Sequence, residues 1–434
     1  MSIVIRFARH AVPTLSLVLA LAVPAFGAGL PLTLAEAQRL ALARSQLLPA
    51  QDAAASAARE MAVAAGQLPD PVLKLGIDNL PVNGPDAWSL TQDFMTMGRV
   101  GLMQEWPSAD KRAARSARFE READKAGSEK AAAQAALARD AALAWLDRYY
   151  AEALVALLDE QAVEAQLEID AAEAAYRAGR GSQADIFIAR GGKAGLAERA
   201  SEARRRVATA ITMLARWIGA RADSPLAGNP DIASLTFSRN GLDAQLGHHP
   251  QIAVLAQAEA LAAAEVRLAQ ANRNPDWSFE IAYQQRGPAY SNMMSVGISV
   301  PLPWDRANRQ DREVTAKLAL ADQARALRED ALRMHAAEVA AMLEEWDNGR
   351  ERLALYADAL LPLARERTAA AVTAYRGGKG TLADVLGARR NEIDVRRDAL
   401  QLERDTARLW AQLNFLDVMP DALAAVSPNA QDKP

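Results

Sequence analysis

The chain has 434 residues, 50% of them hydrophobic, 24% charged and only 5% aromatic, and 50 Lys and Arg face 54 Asp and Glu for a net charge of −4. That balance offers no basic footprint for a phosphate backbone and excludes nucleic acid as a partner. The chain has no cysteine, which excludes disulfides, thiol nucleophiles, zinc ribbons, iron–sulfur clusters and a lipidated N-terminal cysteine. Its four histidines, His10, His248, His249 and His335, form no HExxH pair or catalytic triad, and no GxGxxG follows a strand. The sequence therefore predicts no enzyme, no cofactor and no resident metal. The hydrophobic share is rich in alanine, which favours helix and is too small to fill a thick interior, so long thin helices packed side by side are expected.

In chain order, Arg6 and Arg9 precede an apolar run from Ala11 to Phe26, and Ala25 and Gly27 stand at the −3 and −1 positions of a cleavage after Gly27. Residues 1–27 thus read as a secretory signal peptide. The alternative is an uncleaved anchor, but spanning needs about 20 apolar residues, and Pro13 and Pro24 interrupt a shorter run. A short helix is expected over about 50–67 and a strand over Val72–Leu80, with a second strand over about Val100–Trp106. From Ser108 to Arg177 there is no proline, and Leu143, Leu146, Tyr150, Leu154 and Leu157 fall at steps of three and four. This predicts one amphipathic helix reaching about 100 Å. A glycine turn and a half-length helix over about 185–219 follow it.

The same order then repeats. Residues 175–190 read AYRAGRGSQADIFIAR and residues 374–389 read AYRGGKGTLADVLGAR, at a constant offset of 199. Pro49 corresponds to Pro250, Pro69-Asp70 to Pro275-Asp276, and Val100-Gly101 to Val296-Gly297. We therefore divide the chain into a signal peptide (1–27), a first structural repeat (28–219), a Pro/Gly/Ser/Asn-rich connecting segment (220–241), a second repeat (242–419) and a C-terminal tail expected to be disordered (420–434). The second repeat predicts a helix over about 251–273, strands over Trp277–Tyr283 and Ser295–Leu302, a long helix from about Asn308 to Arg376 and a half-length helix over about 384–417.

In the strands Trp277, Phe279, Ile281 and Tyr283 share one face and Ser278, Glu280 and Ala282 the other, while Val296, Ile298 and Val300 oppose Ser295, Gly297 and Ser299. Apolar-out, polar-in alternation is the pattern of a membrane barrel, and Trp88, Trp106, Trp277 and Trp304 near strand ends would form its aromatic girdles. Four strands cannot close, because single-chain barrels begin at about eight. The predicted fold is mainly α with a small β part: a long helical barrel plus four transmembrane strands per chain, contributed to a barrel shared between chains.

These features together resemble the TolC-type outer-membrane efflux channels over essentially the whole mature chain. The resemblance rests on Leu47-Leu48-Pro49 and His248-His249-Pro250 before short helices, on Leu68-Pro69-Asp70-Pro71 entering a strand and on Val300-Pro301-Leu302-Pro303 leaving one. The paired turn signatures ending Ala184-Asp185-Ile186-Phe187 and Ala383-Asp384-Val385-Leu386 complete it. It implies a homotrimer with twelve strands in outer-membrane lipid, a helical tunnel through the periplasm, and docking to a periplasmic adaptor (membrane fusion protein) and an inner-membrane pump of the resistance-nodulation-division (RND) class. Val300–Arg306 (VPLPWDR) before a long helix is similar to the heavy-metal branch, cobalt-zinc-cadmium or copper-silver efflux, so passive export of metal cations is the expected function. Drug efflux or type I protein secretion by the same fold, or a soluble periplasmic coiled-coil scaffold or adaptor, are the alternatives.

The candidate site is the pair of turns. Gly179 and Gly378 are placed to end the long helices, Ser182 and Thr381 to cap the next, and Asp185 and Asp384 to complete capping boxes. The resemblance adds a second role, as the periplasmic gate and adaptor contact, for Tyr176, Arg177, Gly179, Arg180, Ser182 and Asp185 and for Tyr375, Arg376, Gly378, Lys379, Thr381 and Asp384. In such channels matching aspartates and a tyrosine bond to a basic residue of a neighbouring helix, a pattern that Tyr375 and Asp384 fit, whereas Gly380 and Gly387 stand where some relatives carry gating arginine and aspartate. Three copies of Asp185 and Asp384, partly neutralised by Arg180 and Lys379, would then make a carboxylate constriction. Gly377–Thr381 (GGKGT) is no phosphate loop, since a helix precedes it and its twin at 178–182 lacks lysine. Met95, Met97, Met103, Met293 and Met294 read as apolar filler rather than soft-metal ligands, with Met103 alone assigned lumen parity. His248 and His249 beside Pro250 read as a helix-start turn, and the charge runs Asp110–Lys125 and Arg389–Arg404 as solvated helix faces.

Overall fold

A computed structural model describes residues 31–235, 247 and 249–415. The segments read from the sequence as a signal peptide (1–27) and a C-terminal tail (420–434), together with His248 and part of the connecting segment, lie outside the described residues.

Helix α1 (Leu34–Arg44) is capped by Thr33, whose side chain accepts from Glu36 N–H, and α2 (Leu47–Ala65) follows it. Strands β1 (Val72–Asp78) and β2 (Met97–Trp106) lead into α3 (Ala109–Arg177), a 69-residue helix capped by Ser108. At 1.5 Å per residue it spans about 100 Å. After the first turn, α4 (Gln183–Ile218) runs back along α3. The second half repeats the order: α5 (Pro250–Ala271) with His249 as its N-cap, β3 (Trp277–Arg286), β4 (Met293–Ser299), α6 (Gln310–Leu355), α7 (Leu361–Arg376) and α8 (Leu382–Asn414). Among the described residues no helix is long and apolar enough to cross a membrane.

The long helix expected from about 308 to 376 is one rod with a wider turn, Tyr356–Leu360, inserted between α6 and α7. Pro362 is the cause. It has no N–H to continue the ladder and its ring crowds the carbonyl four residues back, so the chain widens into a π turn just before it. The uninterrupted α3 has no proline and no such turn.

Trp145, Leu146 and Tyr150 of α3 are buried against α1, Leu214 and Ile218 of α4 and Ala407 and Ala411 of α8, midway along the rods. Leu32 closes this core through a parallel bridge to Leu226, which ties the described part of the connecting segment to the start of the chain. Trp145 Nε1–H donates to Leu32 O at 3.1 Å. Farther along, α3 and α8 are stitched by ion pairs: Arg389 with Glu164 and Glu168, Arg396 with Glu160, and Arg408 with Asp147.

Between them the Tyr150 hydroxyl donates to Glu403 at 3.2 Å, and burial pushes the Glu403 carboxyl above the ordinary glutamate range. A carboxyl whose pKa is raised on folding binds protons more tightly in the folded state, so this site loses stability as pH rises through its folded pKa. Glu403→Gln keeps an acceptor for Tyr150 without the buried charge. The wild type should therefore gain melting temperature relative to Glu403→Gln as pH is lowered from 7 to 5, and a gap between the two that stays constant with pH contradicts the assignment.

Candidate functional site: a two-faced sheet and paired tip turns

The four strands form one antiparallel sheet in the order β1-β2-β3-β4, so the two halves of the chain meet at the β2–β3 pairing. The inner strands are 10 residues long and the edge strands seven. β1 stops at Asp78, two residues short of expectation, because Asn79 turns into the left-handed region at φ 56°. β4 stops at Ser299 because Pro301 pushes the preceding residue out of register and has no N–H for a ladder.

Cross-strand partners share a face, so the register sorts every strand residue. One face carries Leu73, Leu75, Ile77, Val100, Leu102, Phe279, Ile281, Val296 and Ile298, all well exposed, and no charged residue. Trp106 stands opposite Trp277 at the end where the sheet meets the helices, while Trp88 lies in the β1–β2 loop at the other end. The opposite face carries Lys74, Asp78, Arg99, Glu105, Glu280 and Arg286. Since β2 begins at Met97 and β4 at Met293, Met97 and Met293 share the parity of Met103, which corrects the expectation that Met103 alone has it.

At the far end of the rods the two turns are built alike. Gly179 and Gly378 adopt φ 69° and 71°. Arg180 N–H donates to Ala175 O and Lys379 N–H to Ala374 O, both at 2.9 Å, while the glycine N–H groups reach Tyr176 O and Tyr375 O at 3.0 Å. These bonds satisfy the last carbonyls of α3 and α7 through a left-handed glycine. Both capping boxes form: Asp185 N–H donates to Ser182 Oγ at 3.2 Å while its carboxylate accepts from Ser182 N–H at 2.8 Å, and Asp384 with Thr381 repeats this at 3.2 and 3.0 Å. Bonds to each carboxylate from its cap hold both carboxyls below the ordinary aspartate range, the Thr381 hydroxyl and then the Thr381 N–H for Asp384, and the Ser182 N–H and then the Ser182 hydroxyl for Asp185.

The turns lie side by side, joined by a cluster of Ala172, Ile186, Leu382 and Val385 with Tyr375 against it. Tyr176, Arg177, Arg180, Arg376 and Lys379 are exposed. Within the chain the carboxylates of Asp185 and Asp384 bond to their own caps, and no ion pair to Arg180 or Lys379 forms among the described residues. Gly380 is packed: an added Cβ would meet Ala374 Cβ at 3.2 Å and Tyr375 N at 3.3 Å, whereas at Gly387 it would meet open space. Phe187, named only as part of the turn signature, and Ile188 are exposed on the first turns of α4, and neither is among the site residues expected from sequence because a helical apolar pattern leaves their orientation open.

Comparison with known proteins supports this architecture. Residues 241–417 match the family described as Outer membrane efflux protein. No relative is found among curated proteins. The fold is shared with CusC, whose crystal structures concern transmembrane channel formation, at TM-score 0.76 and 17% identity over 88% of this chain and 91% of that one. It is also shared with the outer membrane protein VceC of Vibrio cholerae, at 0.73 and 21% over 88% and 95%, and with the open state of the MtrE outer membrane channel of Neisseria gonorrhoeae, at 0.67 and 18% over 89% and 90%. At such identities the likeness establishes the fold, and the second half of the chain carries the family match.

The turn geometry makes a direct prediction. Gly179→Ala and Gly378→Ala each force a Cβ into the left-handed region and should destabilise by about 1 kcal/mol. Gly387→Ala, in open space within α8, should instead stabilise slightly through helix propensity. Denaturant unfolding of the three variants checks the ordering, and equal effects at all three positions contradict the role given to the turns.

Proposed function

We propose that this protein is the outer-membrane exit duct of a tripartite efflux system: a homotrimer whose chains each supply four strands of a twelve-stranded barrel in outer-membrane lipid, with the helices extending into the periplasm. The observation that carries the reading is the sorting of the sheet, with all six strand charges on one face and an exposed, uncharged apolar surface on the other. An apolar face toward lipid and a polar face toward a water-filled lumen is the pattern a transmembrane barrel requires. The duct has no catalytic residues and is driven by its partner pump.

In this reading the paired turns are the periplasmic entrance. Tyr176, Arg177, Gly179, Arg180, Ser182 and Asp185, with Tyr375, Arg376, Gly378, Lys379, Thr381 and Asp384, converge from three chains near one axis, where like charges repel unless countered. They make the gate and the contact for a periplasmic adaptor, which links the duct to an RND pump. Because Asp185 and Asp384 already bond to their caps, cations on neighbouring chains and on the adaptor act on these carboxylates from outside the turn. Metal cations are the proposed cargo, on the strength of Val300–Arg306 before the long second-half helix.

Extraction of the mature protein from outer-membrane fractions should give a detergent-stable trimer, and a deletion strain should become sensitive to copper, silver, zinc or cobalt. A soluble monomer in the periplasmic fraction overturns the duct, while sensitivity to drugs with unchanged metal tolerance overturns the cargo alone.

A further inference from the structure

The six charged residues on the polar sheet face are three cations, Lys74, Arg99 and Arg286, and three anions, Asp78, Glu105 and Glu280. Four of them form a network. The Glu280 carboxylate takes Lys74 Nζ at 2.6 Å through one oxygen and the Arg99 guanidinium through the other, and Arg99 also faces Asp78 at 3.7 Å. Lys74 lies on β1, Arg99 on β2 and Glu280 on β3, so one carboxylate from the second half pairs with two cations of the first across the seam between them, and Asp78 supplies the second negative charge.

We propose, resting on the channel reading, that Glu280 is the charge-balancing residue of the lumen wall. With Glu280 in place the wall of each chain sums to zero, and the membrane segment of the duct passes solutes without discriminating by charge; any charge preference then arises at the tips. Loss of Glu280 alone leaves one uncompensated positive charge per chain, three around the lumen. The range of that charge depends on salt: the Debye length is about 30 Å at 0.01 M, enough to reach the axis of a duct, and about 3 Å at 1 M.

Planar-bilayer reversal potentials under a KCl gradient test this with three variants. Glu280→Gln should shift the permeability ratio toward anions by roughly twofold or more at about 10 mM salt, and the shift should vanish near 1 M. Lys74→Gln should shift it toward cations. Combining the two restores a neutral wall and should return the ratio to wild type, although the Lys74–Glu280 ion pair is then gone. A purely structural role for Glu280 gives a different result, since the double variant would remain as altered as Glu280→Gln. The proposal is overturned if neither single variant shifts the ratio at low salt, or if the double variant fails to restore it. Absence of any conductance from a folded wild-type trimer overturns the channel reading and this inference with it.

Discussion

A backbone N–H or C=O facing hydrocarbon without a partner costs several kcal/mol, so nothing with an open sheet edge can rest in a bilayer. The sheet has two such edges, β1 and β4, and an exposed apolar face that the proposed channel reading turns toward lipid. These two facts conflict in a lone chain. In the proposed reading they are reconciled by pairing β4 of one chain with β1 of the next, which would close the ladder and make the assembly a condition of the membrane segment rather than an addition to it. The order β1-β2-β3-β4 with antiparallel neighbours is compatible with such closure, because an even number of strands brings β1 and β4 together antiparallel as well.

The helical part answers a different demand, reach. A rod of about 100 Å has too much surface for its thickness to be held by a central core, so packing is concentrated in patches. One surrounds Trp145 and Leu146, others lie along α3 and α4, and a small one joins the two tips. Beside these patches, α3 and α8 are also held by cross-helix ion pairs such as Arg396 with Glu160. The tips, farthest from the sheet, rely on local bonds: both turns close with a left-handed glycine and a capping box, which need no distant partner.

Much of this was legible in the sequence because the governing interactions are local. The proline-free stretch after Ser108 marks α3 to within a residue, and the caps at Ser182 and Thr381 follow from spacing alone. Strand parity separates the two faces of the sheet. The misses have equally physical origins. Met97-Gly98-Arg99 lacks an apolar alternation, so the start of β2 is set by pairing with Arg286 and its neighbours rather than by its own residues. Pro362 was visible but its consequence, a π turn rather than a break, depends on the rod being held on both sides. The Glu280 network and the Tyr150–Glu403 bond join residues 181 to 253 positions apart, which no periodicity can reveal.

The claim on which the rest depends is that the open edges of the sheet meet between chains. The protein contains no cysteine, so introduced cysteines report without background. Pairs combining Leu73→Cys or Leu75→Cys on β1 with Val296→Cys or Ile298→Cys on β4 place one thiol on each edge of the apolar face. Within a chain these edges are three strand spacings apart, about 14 Å, beyond a cross-linker of about 8 Å reach. The account predicts that such a linker, applied to outer membranes, gives covalent dimers and trimers on denaturing gels for at least one pair and only monomers for every single variant. Monomers alone from all four pairs, in protein that is membrane-inserted and thiol-labelled, would contradict it.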